Sequence, residues 1–266
     1  MRSVKFNNIE LMTLAYAVES MPFSVPARRG DNIPIPYRDG ARNVTRKPFE
    51  SRTEVLNMWV GWRNTSGALP GGKTKQQQLE LNIEYLKALF ATSGQVALKI
   101  GMLDSTYRTA QAEVISAISF QKDPAFTRAK MSVELLFADP FFYGETLVTE
   151  TINLTSGSVS TSLTNAGTAP VKKGTITITG VTSNCKINNT TNSISCTYTG
   201  VLADAVEAVI SLTNQTVLIG GENYLGFLTH LGDPNWFVLN PGANAITITG
   251  DTSGGTVKLE YYPAYI

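Results

Sequence analysis

The segment Gly67-Ala68-Leu69-Pro70-Gly71-Gly72-Lys73-Thr74 fits the pattern GxxxxGK[ST]. In that loop, backbone N–H groups cradle phosphates, the lysine reaches the terminal phosphates and the hydroxyl meets magnesium. It falls between an expected strand, 53–62, and an expected helix, 75–91, which is the setting such a loop requires. The apolar run Leu135-Leu136-Phe137-Ala138 then ends in Asp139, as a strand carrying a magnesium-binding aspartate would. Three features oppose nucleotide chemistry. Polar Arg63-Asn64-Thr65-Ser66 separates the loop from its strand, Pro70 restricts the loop, and the chain lacks the repeated βα units of a parallel sheet. The competing reading is a mobile surface loop.

Other reactive side chains are sparse. The only cysteines, Cys185 and Cys196, stand eleven apart with no second pair and no nearby histidine, which fits neither a CxxC redox motif nor a metal cluster. A turn at 189–192 would set Cys185 directly opposite Cys196 and Ile187 opposite Ile194. Cytosolic synthesis favours two small apolar residues in a core; a disulfide formed after release is the alternative. His230 is the single histidine, so Ser-His-Asp and Cys-His arrangements have only this base, and it sits within an apolar stretch. No catalytic, cofactor-binding or metal-binding residue is assigned, and no cofactor. For sugar binding, Trp236, Tyr261, Tyr262 and Tyr265 could stack on a ring, but residues 146–266 hold no arginine to surround it.

The elements that would position these groups are mostly strands. Pro22, Pro26, Gly30, Pro34, Pro36, Gly40 and Pro48 exclude helices from the first sixty residues. Leu56, Met58, Val60 and Trp62 alternate on one strand face, as do Val96, Leu98, Ile100 and Met102, and Met131, Val133, Leu135 and Phe137. A further strand is expected at 113–120, with a turn at Lys122-Asp123-Pro124. The one helix carries Leu79, Ile83, Leu86 and Phe90 as a single apolar stripe, and Gly94 supplies its stop. Strands around one helix make a sheet covered by that helix. Pro140 halts the third strand, and Phe141, Phe142 and Tyr143 need a covering surface, most simply a seam between domains.

Composition changes after this point. From 151 to 200 about half the residues are Ser, Thr or Asn, yet Ile176-Thr177-Ile178-Thr179 and Ile246-Thr247-Ile248-Thr249 alternate as strands exposed on one face do. Formal charge is +1 overall, with 18 Lys/Arg against 13 Asp/Glu in 1–140 and 4 against 8 in 141–266. Near-neutrality argues against a specific nucleic-acid reader. No apolar run approaches a membrane span, and the start lacks the core of a signal peptide, so synthesis in the cytosol without membrane insertion is expected. The expected fold is mainly β in two domains: 1–145, sandwich-like with one helix, and 146–266, a β-sandwich. The end of the chain reads as strand, Asn240-Pro241-Gly242-Ala243-Asn244 corner, strand, glycine turn and closing strand.

Three stretches in order resemble the distal tail proteins of long, flexible-tailed bacteriophages (siphophages). These are the exit Asp139-Pro140-Phe141 ("D-P-F/W"), the turn Asn165-Ala166-Gly167-Thr168-Ala169-Pro170 ("N-x-G-T-x-P"), and Leu239 to Ile246 ("L-x-P-G-x-N-x-I", the closing hairpin). The chain departs from the second pattern in having Lys172-Lys173-Gly174 where another proline is common. The resemblance implies a non-enzymatic virion protein at the distal end of the tail. Its first domain would form a hexameric ring, and its second, galectin-like domain would project outward. Implied partners are further copies of the chain, the major tail tube protein, the tail-tip hub protein, the tape measure and receptor-binding proteins. The rival function is a carbohydrate-binding module for host recognition.

Overall fold

The structure is a computed structural model that describes residues 3–21, 25–27, 33–34, 41–42, 49–154, 157–181, 183–203, 206–231, 237–251 and 254–266. Trp236 lies outside these, as do the side chains of Arg42 and His230. The chain divides into two compact units, Met1–Phe142 with Ile266, and Tyr143–Tyr265.

The first unit contains β1 (Val4–Phe6), β2 (Ile9–Glu10), β3 (Tyr16–Ser20), a two-residue pair β4 (Ile33–Pro34) and β5 (Ala41–Arg42), and β6 (Arg52–Gly61). After helix α1 (Lys75–Phe90) come β7 (Val96–Gly101), β8 (Tyr107–Val114), β9 (Ser119–Lys122) and β10 (Arg128–Phe137). They pair in the order β2-β1-β7-β8-β10-β6-β3, with β9 also on β10. Alternation decides the faces: Leu56, Met58 and Val60 of β6 and Met131, Val133, Leu135 and Phe137 of β10 are buried together. Trp62 falls just beyond β6 and stays half-buried. The strand expected at 113–120 is instead two, β8 and β9, both lying along β10. Between them Ile115 N donates to Glu134 O at 3.1 Å and Ser116 Oγ accepts from Glu134 N at 2.9 Å, a local break that moves the chain along the same edge.

Helix α1 buries Leu79, Ile83, Leu86 and Phe90, with the Phe90 ring 4.6 Å from that of Phe6. Each such side chain contributes about 1.5–3 kcal/mol on burial. The same helix also buries two amides. Gln78 Nε2 donates to Asn82 Oδ1 at 2.9 Å, and Asn82 Nδ2 donates to Gly61 O at 2.7 Å and Arg63 O at 2.8 Å, which ties the helix to the end of β6. Gly94 does take a left-handed φ of +80°, but the helix already ends at Ala91, where the Thr92 hydroxyl donates to Leu89 O.

The unit closes on Asp139-Pro140-Phe141. Asp139 Oδ1 accepts from Phe141 N at 3.3 Å, and the Phe141 ring meets Phe49 edge-on at 5.2 Å. The buried Arg52 guanidinium lies over the rings of Phe142 and Phe137, 4.8 and 5.1 Å from their centroids. Burial lowers its pKa, opposed by the charges of Glu54 and Asp139.

The second unit begins within β11 (Phe142–Gly144) and continues with β12 (Val148–Asn153), β13 (Ser158–Asn165), β14 (Gly174–Thr179), β15 (Ser183–Asn189), β16 (Ile194–Tyr198), β17 (Glu207–Ser211), β18 (Thr216–Ile219) and β19 (Glu222–Asn223). A 3-10 turn, Leu225–Phe227, leads to β20 (Leu228–Leu231), β21 (Gly242–Asp251), β22 (Thr256–Tyr261) and β23 (Ala264–Tyr265). Two antiparallel sheets form, β12-β22-β14-β17-β18-β19 and β13-β21-β15-β16-β20. Inward Ile176, Ile178, Val257 and Leu259 of the first and Ile187, Ile246 and Ile248 of the second are fully buried, the pattern of a sandwich core.

The closing hairpin expected from sequence is absent. β21 pairs with β13 and β15, whereas β22 pairs with β12 and β14, so the glycine turn between them is an arch from one sheet to the other. Each strand buries its own alternating residues against the opposite sheet, which direct pairing would prevent. The strand expected before the corner is reduced to an isolated bridge, Val171 to Leu239.

Candidate functional site

The phosphate-loop pattern resolves into a turn and a helix cap. Asn64 Oδ1 accepts from Ala68 N and from Ser66 Oγ, both at 2.8 Å, while Gly67 N donates to Asn64 O at 2.9 Å. Residues 64–68 are therefore a closed turn rather than a slack arm. Gly67, at φ +89°, is pressed against Leu14, whose Cδ1 lies 2.7 Å from where a Cβ would stand. Thr74 Oγ1 accepts from Gln77 N at 3.2 Å and Thr74 N donates to Gln77 Oε1 at 2.9 Å, a reciprocal cap typically worth about 1 kcal/mol. The hydroxyl that would meet magnesium is thus engaged, Lys73 is exposed, and β6 and β10 are antiparallel neighbours rather than parallel strands. Asp139 belongs to the turn that ends β10.

The cysteines lie on adjacent strands but are not opposed. In the β15–β16 pair Asn189 meets Ile194, so Cys185 faces Tyr198 and Cys196 faces Ile187. The turn lies at 190–193, one residue later than the expected 189–192, with Ser193 at φ +59°, and that shifts the register by two from the expected pairing. Both thiols are free and buried, and burial pushes each up to about 12. Of the tyrosines proposed to stack on sugar, Tyr261 is excluded: it is buried and its hydroxyl donates to Thr164 O at 3.1 Å. Tyr262 is exposed and Tyr265 half-buried.

A broad cleft of about 830 Å³ on the first unit is lined by Glu19, Trp59, Gln121, Asp123, Arg128 and Lys130, among others. Its carboxylates are already engaged. Glu19 pairs with Lys130 at 3.9 Å, and Asp123 is held below the usual carboxylate range by hydrogen bonds from the backbone of Arg128 and from Thr127. Among the described residues no group of three or more His, Cys, Asp or Glu could hold a metal ion, and no helix is long and apolar enough to cross a membrane.

What the sequence did not reveal is a second apolar face on α1. Leu81 and Tyr85, one turn apart, are exposed, and the Tyr85 ring stacks on Tyr16 at 6.2 Å. Leu14 and Leu69 are exposed as well.

The other polar constellation is built from buried asparagines. Asn165 Nδ2 donates to Ala169 O at 2.8 Å and its Oδ1 accepts from Gly167 N at 2.9 Å, closing the turn. Gly167 is obligatory there, since a Cβ would stand 1.9 Å from Ala264 O. Asn244 Oδ1 accepts from Asn240 N at 2.8 Å and from Asn189 Nδ2 at 3.0 Å, while its Nδ2 donates to Asn240 O at 2.8 Å and Gly242 O at 3.0 Å. Asn189 Nδ2 also donates to Val238 O at 3.0 Å, as Asn192 Nδ2 does at 2.8 Å. All three of Asn165, Asn189 and Asn244 are fully buried. This arrangement fastens loops; it presents nothing to a ligand.

Two outcomes follow for the second unit. Asn244→Ala strands the Asn240 N–H and an Asn189 amide proton in the interior, which should cost roughly 2–4 kcal/mol in denaturant unfolding. The thiols should resist Ellman's reagent in native protein at pH 8 and react on unfolding. A thiol with a pKa of 9.0 when unfolded and about 12 when folded contributes stability that is complete below pH 9 and is lost as pH rises towards 12. Urea midpoints measured across that window should fall in the native protein and fall less in a Cys185→Ala/Cys196→Ala variant.

The sequence signature of the siphovirus-type tail component, C-terminal domain, matches residues 146–265. Among solved structures, that of SPP1 Dit (gp 19.1) shares the fold along the whole chain, with a TM-score of 0.66 at 17% identity and 98% of each chain covered. Two structures of the phage P2 baseplate in its activated conformation align more loosely. The form with Ca gives a TM-score of 0.42 at 6% identity over 98% of each chain. The form with Sr gives 0.41 at 7% over 97% of this chain and 98% of that one. Among curated proteins none matches the chain in sequence. Residues 146–265 thus belong to the C-terminal domain family of siphovirus-type tail components, and the fold of SPP1 Dit runs through both units of the chain.

Proposed function

We propose that the chain forms a hexameric ring at the distal end of the tail, joining the tail tube to the tail-tip hub and anchoring receptor-binding components. The single observation that carries this reading is the whole-chain likeness of fold to SPP1 Dit, described as a paradigm of hub adsorption apparatus in Gram-positive infecting phages. Residues 1–145 carry the ring contacts, and 146–266 form a galectin-like domain that stays monomeric alone. Two observations support that division. The excess of positive charge belongs to the first unit, whose helix also sets exposed Leu81 and Tyr85 side by side one turn apart. The sheets of the second unit expose chiefly Ser, Thr and Asn, a poor adhesive for a large permanent interface. A head-to-tail contact closes into a ring only where the rotation per copy divides the circle.

On this reading the protein acts through its surfaces and holds no reaction centre. Nucleotide binding is not proposed, because the cap at Thr74 and the antiparallel setting of β6 leave no phosphate cradle. Sugar recognition by the second unit is the weaker rival, with Tyr262 as its remaining exposed aromatic among the described tyrosines named above. Light scattering of the two fragments separates the roles: 1–145 should oligomerise and 146–266 should give a monomer mass, whereas the reverse would mean the roles are exchanged. Deleting 66–73 should leave the melting transition in place, since Thr74 still caps α1 and Asn82 still holds the Arg63 carbonyl, while weakening assembly.

A further inference from the structure

The β9–β10 hairpin turns through Asp123-Pro124-Ala125-Phe126-Thr127, and Asp123 holds the turn almost alone. Its carbonyl accepts from Phe126 N at 3.0 Å and its N–H donates to Arg128 O at 2.9 Å. Its Oδ1 accepts from Thr127 N at 2.7 Å and Arg128 N at 3.1 Å, and its Oδ2 accepts from Thr127 Oγ1 at 3.0 Å. Asp followed by Pro is what a type I turn favours. The fourth residue then lies in the left-handed region, at φ +51°, a position that hairpin loops of this kind give to glycine or asparagine. This chain puts phenylalanine there, and leaves it 49% exposed. Its ring makes no aromatic or cation–π contact among the described residues. A bulky side chain has been placed where the backbone disfavours it, with half its surface in water and a clasp of hydrogen bonds to keep it there. Such strain persists only where the surroundings over-determine it.

We propose that Phe126 is a docking knob, and that its receptor is another protein subunit of the tail presenting an apolar recess with an acidic rim. This rests on the assembly role proposed above and names a contact within it. The sign of the rim follows from the charges at the knob's base. Lys122, Arg128 and Lys130 flank it, while the carboxylate of Asp123 is spent inside the turn. Lys122 is engaged by Glu80 and Lys130 by Glu19, while exposed Arg128 stands two residues along the chain from Phe126 and its charge also acts on Asp123. An aromatic knob flanked by arginine is the composition that dominates binding energy in protein interfaces.

The full-length chain tests this through four variants: Phe126→Asn, Phe126→Gly, Phe126→Trp and Arg128→Glu. Asn and Gly relieve the left-handed strain, so both should melt at or a few degrees above the wild type. The second readout is the titre restored when purified protein is added to a tail-assembly extract of a phage mutant unable to make this chain. Asn and Gly should restore about tenfold fewer infective particles or worse, Trp should restore most of the titre, and Arg128→Glu should reduce it. Melting of Phe126→Asn several degrees below wild type would make the ring part of the fold and overturn the proposal. So would full titre with Phe126→Asn. Absence of the wild-type chain from the restored particles would instead defeat the assembly role itself.

Discussion

Buried side-chain amides are the constraint on which the second unit depends. Asn165, Asn189 and Asn244 have no access to water, so every donor and acceptor they carry must be met from within. The geometry that meets them fixes three loops at once. Asn165 closes the turn after β13, Asn244 closes the corner before β21, and Asn189 joins the end of β15 to both Asn244 and the Val238 carbonyl. Loop positions are thereby set relative to strands far away in sequence. In the first unit Asn82 has the same role, holding the end of β6 to α1. A networked amide is unforgiving of a missing partner, and therefore specifies one arrangement where apolar packing would tolerate several.

The same residues explain why short patterns were readable. Gly167 and Asn165 lie in the "N-x-G-T-x-P" stretch, and Asn244 lies in "L-x-P-G-x-N-x-I". Each is a position where the backbone leaves little choice: Gly167 because Ala264 O occupies the space of a Cβ, the asparagines because a side chain must mimic and bind main chain. The resemblance was carried by stereochemical necessity at these points. Likewise α1 was legible from Leu79, Ile83, Leu86 and Phe90, and the core strands from strict alternation.

What sequence could not supply was pairing. Periodicity says which face of β21 is buried but not whether its neighbour is β22 or β13, so a glycine-rich link between two strands looked like a hairpin and is an arch between sheets. A shift of two residues keeps every side chain on its face, so the cysteine register was open until the four-residue turn at 190–193 was seen. The phosphate-loop pattern misled for a related reason. Gly, Lys and Thr before a helix serve a cap as well as a phosphate, and only the antiparallel sheet tells them apart. Tyr85 and Leu81 escaped notice because an exposed apolar pair on a helix looks like ordinary surface.

These features describe a protein whose loops are fastened from within by buried amides. The proposed ring is a matter of copy number, which native mass spectrometry of the full-length chain measures most directly. A ring predicts a species of about six times the 28.8 kDa chain mass, growing with protein concentration at the expense of the monomer. A monomer as the sole species at every concentration, in the chain and in tail assemblies disrupted gently enough to keep neighbouring subunits together, would contradict the account.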